Sequence, residues 1–156
     1  MHVRLLAIGT RMPDWVNAGY DEYARRLAGD VRLALEEISM PKRGKGDVQG
    51  CVQEEAQALR KRLDKYPGVL RVALEVGGRR LDTPALASKL ATLRDEGRDM
   101  VLLVGGPDGL DPALSKSCDE QWSLSDLTLP HPLVRILVAE QVYRAWTLMT
   151  GHPYHR

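Results

Sequence analysis

Apolar runs of strand length alternate along this chain with segments whose apolar positions return every three or four residues. The runs are 2–8, 31–38, 69–76 and 100–104, and the last, Met100-Val101-Leu102-Leu103-Val104, has no polar position, as a strand covered on both faces requires. Helical spacing occupies 13–27, 48–65, 83–95 and 111–118. Thr83 before Pro84 reads as a helix start, a capping hydroxyl ahead of a proline whose fixed φ suits the first turn. Strand–helix alternation of this kind predicts an α/β fold, a mostly parallel, twisted sheet flanked by helices. No repeat, low-complexity tract or long linker divides the chain, so 1–156 reads as a single domain.

The last forty residues follow a different pattern. From Trp122 to Pro132 polar and apolar positions alternate as at a strand end, and Pro130 and Pro132 then exclude regular extended structure. Pro132 can open a helix running to about Met149. Twelve of the seventeen residues 133–149 are apolar, whereas one buried stripe takes three or four per two turns. The surplus predicts a second buried face, against another subunit. A membrane span is disfavoured, because Arg135, Glu140, Gln141 and Arg144 interrupt a run already short of the roughly 20 residues needed.

Charge narrows the picture only a little. Lys plus Arg number 22 against 21 Asp plus Glu, a net +1, so any affinity for nucleic acid must come from local patches. The loop 40–47 is one candidate, with Lys42, Arg43 and Lys45 either simply solvated or in contact with phosphates. Two cysteines, Cys51 and Cys118, fit neither a disulfide framework nor a zinc site and read as buried thiols, and no metal is expected. The first apolar run passes into Thr10-Arg11-Met12-Pro13 without a secretory core, which predicts a cytoplasmic protein.

Ligands of open α/β sheets sit beyond the carboxyl ends of the strands. Gly105-Gly106-Pro107-Asp108-Gly109 follows the most apolar strand, where glycines let a backbone approach a ligand closely. Gly106 is expected at that approach, with a tight turn as the plainer alternative. Neither the dinucleotide nor the phosphate-loop spacing is present, so a nucleotide site of those kinds is disfavoured. His131, His152, His155, Arg135, Arg144 and Arg156 are the groups suited to proton or anion handling, and Tyr154 offers a stacking face. Trp122 and Trp146 read as packing residues, while Trp15 covers either the ligand end or a partner.

Several segments together carry a family likeness: Gly-Thr-Arg-Met-Pro-Asp-Trp-Val (9–16), Lys-Arg-Gly-Lys (42–45), Leu-Val-Gly-Gly-Pro-Asp-Gly-Leu (103–110), Trp-Ser-Leu-Ser (122–125), Leu-Thr-Leu-Pro-His-Pro-Leu-Val-Arg (127–135), Glu-Gln-Val-Tyr-Arg-Ala-Trp (140–146) and His-Pro-Tyr-His-Arg (152–156). The chain resembles, over its whole length, the ribosomal large subunit methyltransferase H (RlmH) family of the SPOUT superfamily. The resemblance implies a C-terminal trefoil knot, a rare exception to unknotted topology. It also implies a homodimer that uses S-adenosylmethionine to methylate N3 of a pseudouridine in helix 69 of 23S rRNA, on the assembled 70S ribosome. The family's cofactor contacts fall here on Leu74, on Gly105 and Gly106, and on Ser125, Asp126, Leu127, Thr128, Leu129 and Pro130. Asp126 puts a carboxylate in that loop, where small residues would also be at home.

The residues themselves suit that chemistry. Leu74, Leu124, Leu127 and Leu129 could sandwich an adenine, and methyl transfer from a sulfonium chiefly demands alignment. N3 of a uracil-type base must lose a proton, which calls for a base or for positive charge near the anion. His155, Arg156 and Tyr154 are the residues assigned to the target base. A ribosome-binding protein without chemistry and a nucleotide-binding regulatory module are the weaker readings, because the glycine loop, 125–130 and the terminal pentapeptide are intact and phosphate motifs are missing.

Overall fold

The computed structural model describes residues 1–42 and 47–155, the last by its backbone. Five strands, β1 (His2–Ile8), β2 (Arg32–Ile38), β3 (Leu70–Arg80), β4 (Met100–Val104) and β5 (Glu120–Ser123), form one sheet in the order β2-β1-β4-β3-β5. Every pairing is parallel. Parallel neighbours need crossovers, supplied here by α1 (Asp14–Ala24), α2 (Val48–Leu63), α3 (Thr83–Asp95) and α4 (Pro112–Ser117). A long helix, α5 (His131–Thr150), and a short 3-10 turn, Pro153–His155, end the chain.

Alternation along β1 builds two cores. Val3, Leu5 and Ala7 face one side with Tyr20 of α1, Leu90 and Leu93 of α3, and Val138 and Val142 of α5. Leu6 and Ile8 face the other side with Ala56, Leu59 and Leu63 of α2 and Leu114 of α4. All five residues of β4 are buried between these layers, as its unbroken apolar run predicts.

Local chemistry adjusts several boundaries. Asp82, not Thr83, caps α3, its carboxylate accepting from the Ala85 amide at 2.8 Å. The Thr83 hydroxyl instead donates to Gln141 at 2.7 Å and ties α3 to α5. β3 runs four residues past the expected end because Leu74 and Arg79 both pair with Trp122, with the intervening residues looped out. Gly78 permits this: a Cβ there would stand 2.7 Å from the Trp122 carbonyl carbon. β5 is only four residues long and carries one large apolar residue, Trp122, so its strand character is hard to see in the pattern.

Helix α5 buries Val134, Val138, Ala139, Val142 and Ala145 but leaves Leu133 and Leu137 each 39% exposed. Beside Leu137, a shallow groove runs along Leu81, Leu86 and Leu124. The apolar surplus predicted for this helix is therefore present on its surface. Both cysteines are buried and free, and burial pushes the Cys118 thiol up to about 11. Trp122 is buried, and the Trp146 indole donates to Asp30 at 3.4 Å. Among the described residues no helix is long and apolar enough to cross a membrane.

Candidate active site

A cleft of about 630 Å³ opens beyond the carboxyl end of β4 and beside the irregular middle of β3, a size typical of sites for small organic ligands. Three segments wall it: Leu74–Val76 at the β3 excursion, Val104–Leu110 after β4, and the passage from Leu124 to the first turn of α5. Leu74, Gly105, Gly106, Ser125, Leu127, Thr128, Leu129 and Pro130 all line it. Asp126 does not, because its carboxylate turns outward and accepts from Arg80 at 2.9 Å. This exposed pair joins the β3 excursion to the 124–130 segment and adds little stability by itself. Within that segment the Ser125 hydroxyl oxygen accepts from the Leu127 amide at 3.0 Å, a local turn that sets its shape.

The cleft mouth is apolar and uncovered. Leu127 is 73% exposed and Leu124 41%, which is unusual for leucines next to a concave site and marks a surface awaiting a ligand or partner.

The glycines of the 105–109 loop serve different purposes. A Cβ on Gly105 would stand 2.5 Å from the Gly109 carbonyl carbon and 2.7 Å from the Leu110 nitrogen, so the loop closes on itself only with glycine there. Gly109 has φ +78°, in the left-handed region, and its amide donates to the Gly106 carbonyl at 3.0 Å. Gly106 differs from expectation. A Cβ there would point behind the loop, 3.2 Å from Ile8 and from the buried Glu55 carboxylate, not into the cleft. What holds Gly106 small is packing against β1 and α2.

Arg135, expected among substrate-handling groups, is instead wholly buried. It donates to Glu37 at 2.6 Å and to the Gly9 carbonyl at 2.7 Å, pinning the start of α5 to the ends of β1 and β2. Nothing in the spacing of Glu37, Gly9 and Arg135 signals this cluster. Arg135→Ala would take the buried donor from the Gly9 carbonyl and leave the space of a large buried side chain empty, and a loss of about 3 kcal/mol is expected by denaturant unfolding. His131 lines the cleft one turn earlier, and burial together with the Arg135 charge lowers its pKa.

The terminal residues stand elsewhere. The Tyr154 ring lies 4.6 Å from that of Tyr143, its hydroxyl donates to Glu140 at 3.2 Å, and the Arg144 guanidinium sits 5.0 Å over it. Tyr143 is twelve residues beyond His131 on one helix, or about 18 Å along its axis. Within one protomer Tyr154 is therefore remote from the cleft. Arg156, the side chain of His155, and Arg43, Gly44 and Lys45 of the basic loop lie outside the described residues. Trp15 is exposed near the start of α1.

The chain matches the family model described as "Predicted SPOUT methyltransferase" over residues 1–155. A ribosomal RNA large subunit methyltransferase H of Alcanivorax borkumensis is 66% identical over the full length of both chains. Proteins of the same name from Chromohalobacter salexigens and a Marinomonas species are 54% and 51% identical, again over all of each chain. Among solved structures, a methylase-family protein from Neisseria gonorrhoeae shares the fold at TM-score 0.56 with 13% identity, covering 90% of this chain and 81% of its own. With the sheet order, the cleft-lining segments and these full-length likenesses in agreement, the chain belongs to the SPOUT methyltransferases, in the ribosomal RNA large subunit methyltransferase H family.

Proposed function

We propose that this enzyme binds S-adenosylmethionine in the cleft between Leu74, the 105–110 loop and the 124–130 segment and methylates N3 of a pseudouridine in helix 69 of 23S rRNA. The observation that carries the reading is the cleft itself, walled by three separated segments whose leucines are left uncovered. An adenosyl group fits such walls, with apolar faces for the ring and backbone polar groups of the two loops for its edges. When bound, S-adenosylmethionine supplies a methyl group on a positively charged sulfur. Leu74, Leu124 and Leu127 would hold the donor in place and keep water away from it. The residues acting on RNA must align N3 with the methyl group and favour the deprotonated base. A cytoplasmic enzyme acting on the assembled ribosome agrees with this chemistry.

The tail supplies those groups in this reading: Tyr154 to stack on the base, with His155 and Arg156 to act on it. Because Tyr154 packs on Tyr143, about 18 Å along α5 from His131, Tyr154 does not reach the cleft of its own protomer. A twofold homodimer resolves this. If α5 packs antiparallel on its copy through Leu133, Leu137 and the adjoining groove, each tail comes to lie at the partner's cleft. Leu137→Glu is expected to convert the dimer to monomer in sedimentation equilibrium and to abolish turnover.

Calorimetric titration with S-adenosylmethionine, alongside methyl transfer to ribosomes lacking the modification, tests the reading. Binding with transfer supports it; binding without transfer to RNA would leave a cofactor protein of another purpose.

A further inference from the structure

His131 has an environment that the reading above does not use. It is the first residue of α5 and lines the cleft, yet its Nδ1 is buried with no hydrogen-bond partner among the described residues. Nε2 is then the ring nitrogen left to meet a ligand. The groups packed around the ring make a second positive charge costly. Arg135 follows one turn along α5, and its Nη2 and the His131 Cε1 lie 3.5 Å and 3.4 Å from the point where a Cβ would stand on Gly9. From β2, Glu37 directs its carboxylate to Arg135. The amino end of α5 adds its own positive potential. An imidazole so placed stays neutral, and its lone pair belongs on the buried Nδ1, where no acceptor among the described residues would take a proton. The proton is then on Nε2, facing the cleft.

We propose that His131 is a further catalytic residue, a neutral imidazole that donates its Nε2–H to the carbonyl oxygen beside N3 of the target base. This rests on the function proposed above. N3 gives its proton to solvent, and the resulting negative charge spreads onto the flanking carbonyl oxygens, where the imidazole N–H stabilises it. The N3 lone pair then forms the N–C bond to the methyl carbon as the C–S bond breaks, its electron pair passing to sulfur. Anion and sulfonium become neutral products, and His131 keeps its proton throughout.

The test compares His131→Ala with His131→Gln in full-length protein, reading S-adenosylmethionine affinity by calorimetry and single-turnover methylation of unmodified ribosomes. His131→Ala is expected to keep cofactor affinity within about threefold and to lose about a hundredfold in the methylation rate. His131→Gln, which keeps a neutral donor, should recover to within about tenfold of the parent. A Gln variant as slow as the Ala variant would mean that a neutral donor does not suffice at this position, and would overturn the assignment. An Ala variant as fast as the parent, or one that no longer binds the cofactor, would overturn it too. Failure of the parent protein to bind S-adenosylmethionine would instead remove the underlying reading.

Discussion

A chain ending at Gly151 is expected to fold, to dimerise and to bind S-adenosylmethionine with unchanged affinity, while its methylation rate falls at least about a thousandfold. The segment removed makes its described contacts on α5 at Glu140, Tyr143 and Arg144, away from all three walls of the cleft. It contributes an aromatic face, two imidazoles and a guanidinium, which suit a base about to lose its N3 proton, and little core. Arg156→Ala should chiefly weaken engagement of the ribosome, with a larger defect at higher salt if the guanidinium meets phosphate. The dimer reading adds a sharper form of the experiment. Heterodimers pairing one truncated protomer with one cleft-deficient protomer should recover activity, because the intact tail of the second meets the intact cleft of the first. Rates are read on purified heterodimers with labelled cofactor. Full activity of the truncated homodimer would return the chemistry to residues beside the cleft.

Gly105→Val is expected to weaken S-adenosylmethionine binding by more than a hundredfold. The clash is with backbone: a bare Cβ would already stand 2.5 Å from the Gly109 carbonyl carbon, so the loop must open and the wall between β4 and α4 moves with it. Gly106→Val is expected to act less directly. Its side chain would press on Ile8 and Glu55, costing about 1–3 kcal/mol of stability as overpacking does, and would displace the loop from behind. Unfolding curves and calorimetry on the same samples separate the two. If Gly105→Val binds the cofactor as the parent does, the 105–110 loop is not a wall of the site.

The sheet was readable because its signals are long and periodic. The five apolar residues of β4 and the alternation along β1 admit few other structures, and burial on both faces follows directly. What escaped reading depends on single residues or on distance in sequence. The four residues of β5 carry too little pattern, and the extension of β3 turns on a contact between Gly78 and the backbone of Trp122. The cap of α3 moved by one position because two candidate oxygens, Asp82 and Thr83, are neighbours, and the hydroxyl found a better partner in Gln141.

The candidate site divides in the same way. Leu74, Gly105, Gly106 and the residues of 125–130 other than Asp126 line one cleft. Asp126 leaves it because Arg80, brought alongside by the looped-out residues of β3, offers a charge in solvent. Arg135 carries the residue type of an anion handler, but its fate was set by Glu37 and Gly9, residues 98 and 126 positions away. No local pattern reports a partner at that separation.

The most direct measurement is nucleotide-resolution mass spectrometry of 23S rRNA after ribosomes lacking the helix 69 methyl group are incubated with the purified protein and S-adenosylmethionine. One new methyl group on N3 of the helix 69 pseudouridine, absent when Gly105→Val protein is used, is the expected result. Methylation at another nucleotide, or none with cofactor bound, would contradict the proposed function.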